Sequence, residues 1–172
     1  MAVTFLNNND AASNVFQIES NLTFFNNLDF KIAYKYIDQY FYHKGMKMQQ
    51  EFNSKHRVLS SVSYSPRDRN WNINMTMQWF GKQVLPSTKD YPEEFRRPSE
   101  SDPYTVINGQ LSKNFKHFEL YAGVENLLDF TQTDPIIDPQ NPFSPYFDTS
   151  YIWGPTNGRT FYIGFRLLFD TL

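Results

Sequence analysis

The feature that most constrains the fold is a strict alternation of apolar and polar side chains from Trp71 to Trp79. Every odd-numbered residue of this stretch is apolar and every even-numbered residue is polar, without exception over nine residues. Side chains of an extended strand point alternately to its two faces, whereas those of a helix repeat about every 3.6 residues. The stretch therefore predicts a β-strand with one apolar face and one polar face.

The same period of two recurs along the chain and predicts an all-β protein of about seven strands. In the stretch that begins at Leu28, aromatic and aliphatic residues alternate with charged ones such as Lys31 and Lys35. In the last stretch, Phe165 belongs to the apolar set and Gly164 to the other set. The remaining predicted strands are Phe16–Phe24, Leu28–Tyr36, Val58–Tyr64, Ile107–Leu111, Phe118–Val124 and Thr160–Phe169.

The links between these strands alternate between short and long. The short polar links lie near Asn26, at 65–70 and at 113–116, and the long ones at 40–54, 81–103 and 129–158. The long links contain most of the ten prolines. Bacterial membrane barrels have short turns on the periplasmic side and long loops outside, so the pattern predicts antiparallel strands of a transmembrane β-barrel.

A soluble antiparallel sandwich is the alternative, because its strands also alternate apolar with polar residues. The aromatic content of 18% and the length of the predicted strands favour a membrane barrel. In such a barrel Trp71 and Trp79 are predicted to form a lipid-facing girdle. They lie roughly 26 Å apart along an extended strand, or roughly 20 Å along the membrane normal at a tilt of about 40°, which is near the height of the apolar band.

Several classes of function are disfavoured by the composition. The net charge of -2 provides no excess of basic residues for binding nucleic acid. The chain has no Cys, its three His lack the spacing of metal ligands, and it contains no phosphate-binding loop or nucleophile elbow. We therefore expect no enzymatic activity, no catalytic residues, no bound metal and no cofactor. Met1–Asp10 lacks the pattern of an export signal, so a membrane barrel of this sequence would be a fragment of a longer protein.

The last long link holds the best candidates for ligand binding. Aromatic faces can stack on sugars or flat chelates, and carboxylates can accept hydrogen bonds. The alternative is that the aromatic side chains pack under the loop and stiffen it. The candidate residues are Asp134, Asp138, Tyr146, Phe147, Asp148, Tyr151 and Trp153.

Three stretches carry a resemblance to a known family. They are residues 79–86, the segment Gly123–Asp129, and the segment Gly154–Arg159 that precedes the last predicted strand. Together they resemble the C-terminal end of TonB-dependent outer-membrane receptors. The chain departs from many outer-membrane barrels in that Asp170, Thr171 and Leu172 follow the aromatic Phe169. Asn126 and Asp129 are residues that readily form turns, and their position at the end of a strand accounts for them without a contact to a ligand. We likewise expect a structural role, rather than ligand binding, for Glu125 and Arg159.

The resemblance implies a barrel of about 22 strands with an N-terminal plug in its lumen. Residues 1–172 would then be the C-terminal part of the barrel, without the plug. The implied function is energy-coupled uptake of a scarce nutrient, such as a metal-siderophore, vitamin or oligosaccharide, in the outer membrane of a Gram-negative bacterium. The implied partners are outer-membrane lipid, the rest of the barrel, the plug, and TonB acting through the plug. A passive porin-like or structural barrel and a soluble β-sandwich that binds a ligand remain alternatives.

Overall fold

The computed structural model describes residues 11–25, 27–66 and 70–167. Apart from one short 3-10 helix, Glu93–Phe95, the regular structure in this part of the chain is β-sheet. The strands are β1 (Ala11–Phe24), β2 (Leu28–His43), β3 (Met46–Gln49), β4 (His56–Tyr64), β5 (Trp71–Phe80), β6 (Tyr104–Asn114), β7 (Phe118–Glu125) and β8 (Thr160–Leu167). Within the described ranges, no helix combines the length and the apolar character needed to cross a bilayer.

All strands belong to one antiparallel sheet, ordered β1-β2-β4-β5-β6-β7-β8, with β3 paired to the end of β2. Each long strand therefore lies beside its neighbour in sequence. This arrangement confirms the predicted all-β fold and the seven predicted strands. The predicted end of the last strand at Phe169 lies outside the described residues. The same holds for the three residues that follow it, for the N-terminal segment Met1–Asp10 and for Asn26 in the first short link.

Strand β3 lies within a link that the sequence pattern predicts as a loop. Strand β2 continues to His43 and turns back through Lys44 and Gly45, with φ of 51° and 76°. Positive φ at both central residues defines the tight turn that suits a hairpin, and glycine adopts it without strain. The turn escaped the sequence reading because lysine is not one of the residues that usually mark the first position of such a turn.

The connections lie on two rims of the sheet. The β1–β2, β4–β5 and β6–β7 connections lie on one edge, called here the short-turn rim. The connections that follow β3, β5 and β7 lie on the opposite edge, called here the long-loop rim, and the last two span residues 81–103 and 126–159. Antiparallel neighbours place successive connections on opposite edges of a sheet. The predicted alternation of short and long links is confirmed, and it places the short links on one rim and the long ones on the other.

One face of the sheet, called here the apolar face, carries the apolar residues of the alternating pattern. A row of directly paired residues crosses all the long strands on this face: Leu22, Phe30, Val62, Met75, Gly109, Val124 and Phe161. Met75 is 47% exposed and Phe161 is 73% exposed. A soluble sandwich would cover such a face with a second sheet, but the described residues form a single sheet. The uncovered apolar face is what a membrane barrel presents to lipid.

Candidate functional site: the polar face at the long-loop rim

The opposite face, called here the polar face, is connected by hydrogen bonds between neighbouring strands. Ser63 donates to Asn74 at 2.7 Å, and Lys31 forms a 2.7 Å ion pair with Glu19. Arg166 is paired with Glu119 in the same way, at 2.8 Å. Polar groups satisfied by one another and by water are typical of the inner surface of a wide membrane barrel.

Near the long-loop rim, two cations face each other on the polar face. Lys35 of β2 is the direct cross-strand partner of Arg57 of β4. Neither forms an ion pair with any carboxylate in the described part of the chain, in contrast to Lys31 in the same strand. Like charges directly opposite each other destabilise a sheet. A bound anion would remove this repulsion, so the pair is a candidate anion-binding site.

Contacts from the adjacent loop and strand hold Arg57 in place. Its Nη2 donates to Asn53 Oδ1 at 3.0 Å and its Nε donates to the Ser54 carbonyl at 3.4 Å. The guanidinium lies 5.7 Å from the ring centroid of Phe80, its partner on β5. These contacts leave the charge of Arg57 uncompensated, because none of the partners is ionised.

An aromatic row continues from the two cations along the same rim. Phe80 stacks on Tyr104 with ring centroids 4.9 Å apart, and Tyr104 stacks on Phe130 at 5.1 Å. Trp153 lies 5.8 Å from Tyr104 and accepts a 3.3 Å hydrogen bond from its hydroxyl through the backbone carbonyl. Two cations followed by flat rings provide both charge and stacking surface for a ligand.

A cavity of about 460 Å³ opens beside the cation pair. Its walls include Glu19, Lys35, Arg57 and Phe80 from four different strands. The volume is within the range of small-molecule sites, about 300 to 1,000 Å³. The polar face can therefore accommodate a small anionic solute beside the two cations.

The two longest loops pack on each other next to the aromatic row, where Trp153 contacts their shared cluster. Leu85, Ile137 and Tyr151 form a buried apolar cluster between them. The Tyr151 hydroxyl donates a 2.5 Å hydrogen bond to the Pro98 carbonyl, and burial raises the pKa of Tyr151. Tyr146 stacks on Phe95 with centroids 5.4 Å apart. The loops thus share a small core of their own.

Two buried glutamines position the backbone around Trp153. Gln132 donates from Nε2 to the Tyr151 carbonyl at 2.7 Å, and its Oε1 accepts from the backbone N–H groups of Trp153 and Gly154 at 2.8 and 3.1 Å. Gln83 donates to the Trp153 carbonyl at 3.0 Å. These long-range contacts hold the end of the aromatic row, and no local sequence pattern indicates them.

The residues predicted to bind ligand on the last long loop are dispersed. Tyr151 is only 2% exposed, and Asp138, 7% exposed, accepts a hydrogen bond from Asn141. Asp148 accepts two hydrogen bonds from Ser150 at 2.7 Å. Of the other four, Asp134 is exposed, and Tyr146, Phe147 and Trp153 are half-buried. The tyrosine and tryptophan rings pack within the loops or on the rim, and a ligand-binding role for the set stays a prediction.

The two tryptophans predicted to form a girdle lie at opposite ends of β5. Trp71 is 37% exposed at the short-turn rim and Trp79 is half-buried at the long-loop rim.

Asn126, expected to be structural, is 6% exposed, and its side-chain amide donates to the carbonyls of Phe130 at 2.7 Å and Asn157 at 3.1 Å. Arg159 Nε donates to the Leu127 carbonyl at 2.8 Å.

The sequence reading missed Lys35, Arg57 and Tyr104 as members of one site. A period of two assigns each residue to a face, but it does not tell which residues of different strands lie side by side. The available signal was the charged face behind the aromatic residues of Leu28–Tyr36. Only the strand register places Arg57 opposite it.

The fold is similar to that of solved bacterial receptors. A mutant of the ferric enterobactin receptor PfeA of Pseudomonas aeruginosa, in complex with enterobactin, matches with a TM-score of 0.56 and 18% identity over 86% of this chain and 21% of the receptor. A second PfeA mutant matches with a TM-score of 0.55 and 17% identity over 87% of this chain and 21% of that receptor. The ferric-catecholate import receptor Fiu of Escherichia coli K12 matches with a TM-score of 0.55 and 12% identity, over 90% of this chain and 27% of Fiu.

The chain thus spans about a fifth to a quarter of the length of these receptors. At this level of identity the likeness shows the fold alone, a run of antiparallel strands similar to part of the barrels of these receptors. No protein-family model and no curated protein sequence matches the chain.

Proposed function

We propose that the intact protein is a TonB-dependent receptor of a Gram-negative outer membrane that imports a scarce nutrient. The single sheet with an uncovered apolar face and a hydrogen-bonded polar face supports a membrane barrel. The similarity of fold to PfeA and Fiu supports a receptor. In this proposal the remaining strands close the barrel, a plug fills its lumen, and TonB supplies energy through the plug.

The nutrient is an anionic complex with flat rings, of the metal-chelate kind. The observation that carries this assignment is the facing pair Lys35 and Arg57, which has no carboxylate partner in the described residues and adjoins the aromatic row. Catecholate oxygens lose their protons when they bind Fe(III), so ferric catecholate complexes carry negative charge and aromatic rings. The similar receptors are named for ferric enterobactin and ferric catecholates.

Binding of ferric enterobactin to the intact receptor in detergent, measured by calorimetry, tests the proposal. Hydrogen bonds to charged groups contribute about 1.5 to 3 kcal/mol each, so replacing Lys35 and Arg57 with glutamine should weaken binding by at least about tenfold. The matched control is Lys89→Gln, which removes a positive charge from an exposed loop position at the same rim. Its affinity should equal that of the wild type.

Equal affinity of the double variant and the wild type would contradict an anionic ligand at this site. Transport is tested separately, by uptake of the same complex into cells with and without TonB. Uptake that does not depend on TonB would favour the passive barrel instead.

A further inference from the structure

A lysine interrupts the apolar face near the short-turn rim. Lys113 of β6 is the cross-strand partner of Trp71, and the row continues through Leu120 to Phe165. Its ammonium group lies 4.6 Å from the ring centroid of Trp71 and 5.2 Å from that of Phe115. Among the described residues it forms no ion pair. In this part of the chain, the ammonium group thus contacts the two aromatic faces.

A narrow groove of about 190 Å³ begins beside this lysine on the apolar face. Its floor is Ala122, which pairs with Leu111 on one side and Ile163 on the other. Both neighbours are exposed, at 43% and 85%, and they stand above the small alanine as walls. Trp71 and Leu120 complete the lining. The groove has the shape and chemistry for an aliphatic chain.

The charge and the groove together define the ligand. A lysine on a lipid-facing surface extends its ammonium group towards the head groups, because the hydrocarbon interior cannot solvate it. The short-turn rim of a bacterial barrel faces the periplasm, where the leaflet consists of phospholipid. A second lysine, Lys116, is exposed on the adjoining turn and adds positive charge at the same rim.

We infer that Trp71, Lys113 and the groove over Ala122 form a binding site for an anionic phospholipid of the periplasmic leaflet. The acyl chain occupies the groove, and the head-group phosphate lies against the Lys113 ammonium group, which Trp71 and Phe115 hold in place. The site rests on the proposed position of the protein in the outer membrane. It is separate from the nutrient site, which lies on the other face and at the other rim.

Native mass spectrometry of the intact receptor tests this site. The receptor is mixed in detergent with equal amounts of phosphatidylglycerol and phosphatidylcholine that carry the same acyl chains, and the lipids that stay bound on release from the detergent are counted. One lysine near a membrane surface contributes about 1 kcal/mol towards an anionic lipid, so the wild type should retain phosphatidylglycerol about fivefold more than phosphatidylcholine at this site. Lys113→Gln should remove this part of the preference, and Lys113→Arg should keep it. Ala122→Phe fills the groove and should lower retention of both lipids.

The control is Lys89→Gln, which removes the same charge from the opposite rim and should leave lipid retention unchanged. A Lys113→Gln receptor with the wild-type preference would overturn the inference, as would equal retention of both lipids by the wild type. Heat-modifiable migration on gels reports barrel formation for every variant. If the receptor forms a barrel and imports its nutrient but shows no preference for phosphatidylglycerol, only the lipid site is rejected. Failure to insert into a bilayer would reject the proposed function instead.

Discussion

The Tyr162 hydroxyl donates a 3.0 Å hydrogen bond to Gln110 Oε1 across a strand that lies between them. Tyr162 belongs to β8 and Gln110 to β6, and both are paired with Gly123 of β7. The tyrosine ring passes over this glycine, where a Cβ atom would collide with the ring and would lie 2.7 Å from the Gly109 carbonyl oxygen. Because Gly123 has no side chain, the Tyr162 ring of β8 can pass over β7 and form its hydrogen bond with Gln110 of β6.

Gly123→Ala should destabilise the end of the sheet. The added methyl group must displace the Tyr162 ring and crowd a backbone carbonyl, and overpacking of this kind costs about 1 to 3 kcal/mol. Urea unfolding of the intact receptor in lipid vesicles measures the loss. Gly109→Ala is the matched control, because a Cβ there would meet its nearest atoms at 3.8 and 3.9 Å, an ordinary contact distance. Similar unfolding midpoints for the two variants would show that the ring over Gly123 moves aside freely.

Met75→Lys should impair insertion far more than Thr76→Lys. Met75 lies in the middle of β5 on the apolar face, where a lysine at the bilayer midplane costs about 2 to 4 kcal/mol. Thr76 lies on the polar face between Ser61 and Asn108, where an ammonium group stays hydrated. The fraction of each variant recovered in the outer membrane measures the difference. Equal recovery would mean that the two faces are assigned wrongly.

The second pair of positions that the alternation suggests for this test, Phe165 and Gly164, is unsuitable. A Cβ atom at Gly164 would lie 2.5 Å from the ring of Tyr121. Any substitution at this glycine would therefore disturb packing as well as polarity.

Asn126→Ala should loosen the start of the last long loop. The side chain makes three hydrogen bonds, two donated to carbonyls and one accepted from the Phe130 N–H at 3.1 Å, and the residue has a φ of 50° that asparagine tolerates better than alanine. Leaving these buried groups unpaired costs about 1 to 3 kcal/mol. Hydrogen exchange of residues 127–130 and 157–159 should become faster, while Glu125→Gln, at an exposed neighbour, should leave it unchanged. Unaltered exchange in Asn126→Ala would contradict the structural role of this residue.

The contact between the two longest loops should weaken at high pH. Burial raises the pKa of Tyr151, so the neutral phenol that bonds to Pro98 is favoured in the folded loops. Its contribution to stability is fully present below the unfolded pKa of about 10, and it is lost as the pH rises through the higher folded value. Tyrosinate absorbance of the wild type minus that of Tyr151→Phe should reveal one group titrating above the ordinary tyrosine range. A difference curve centred at the ordinary value would place Tyr151 in contact with water.

The fold was largely predictable, whereas the grouping of Lys35, Arg57 and Tyr104 beside Trp153 was not. The predicted strand Trp71–Trp79 differs from β5 by one residue, because alternation within a strand is a local property of the chain. Strand β1 begins at Ala11, whereas the predicted strand begins at Phe16. Residues 11–15 lack a clear apolar alternation, so the sequence pattern does not indicate that they form a strand. Pairing with residues 37–41 of β2 makes them one. The ligand-binding role of the aromatic residues in the last long loop stays a prediction; the structure adds that Tyr151 and Tyr146 contact residues of another loop.

The sequence by itself determined that each strand has an apolar and a polar face and that short and long connections alternate. Both properties follow from side-chain direction and turn composition within short segments. Only the tertiary structure decided that Lys35 meets Arg57, that Tyr162 reaches Gln110 over Gly123, and that Lys113 lies beside Trp71. These encounters depend on the register between strands and on the packing of loops distant in sequence, where a shift of one residue would turn every side chain to the other face.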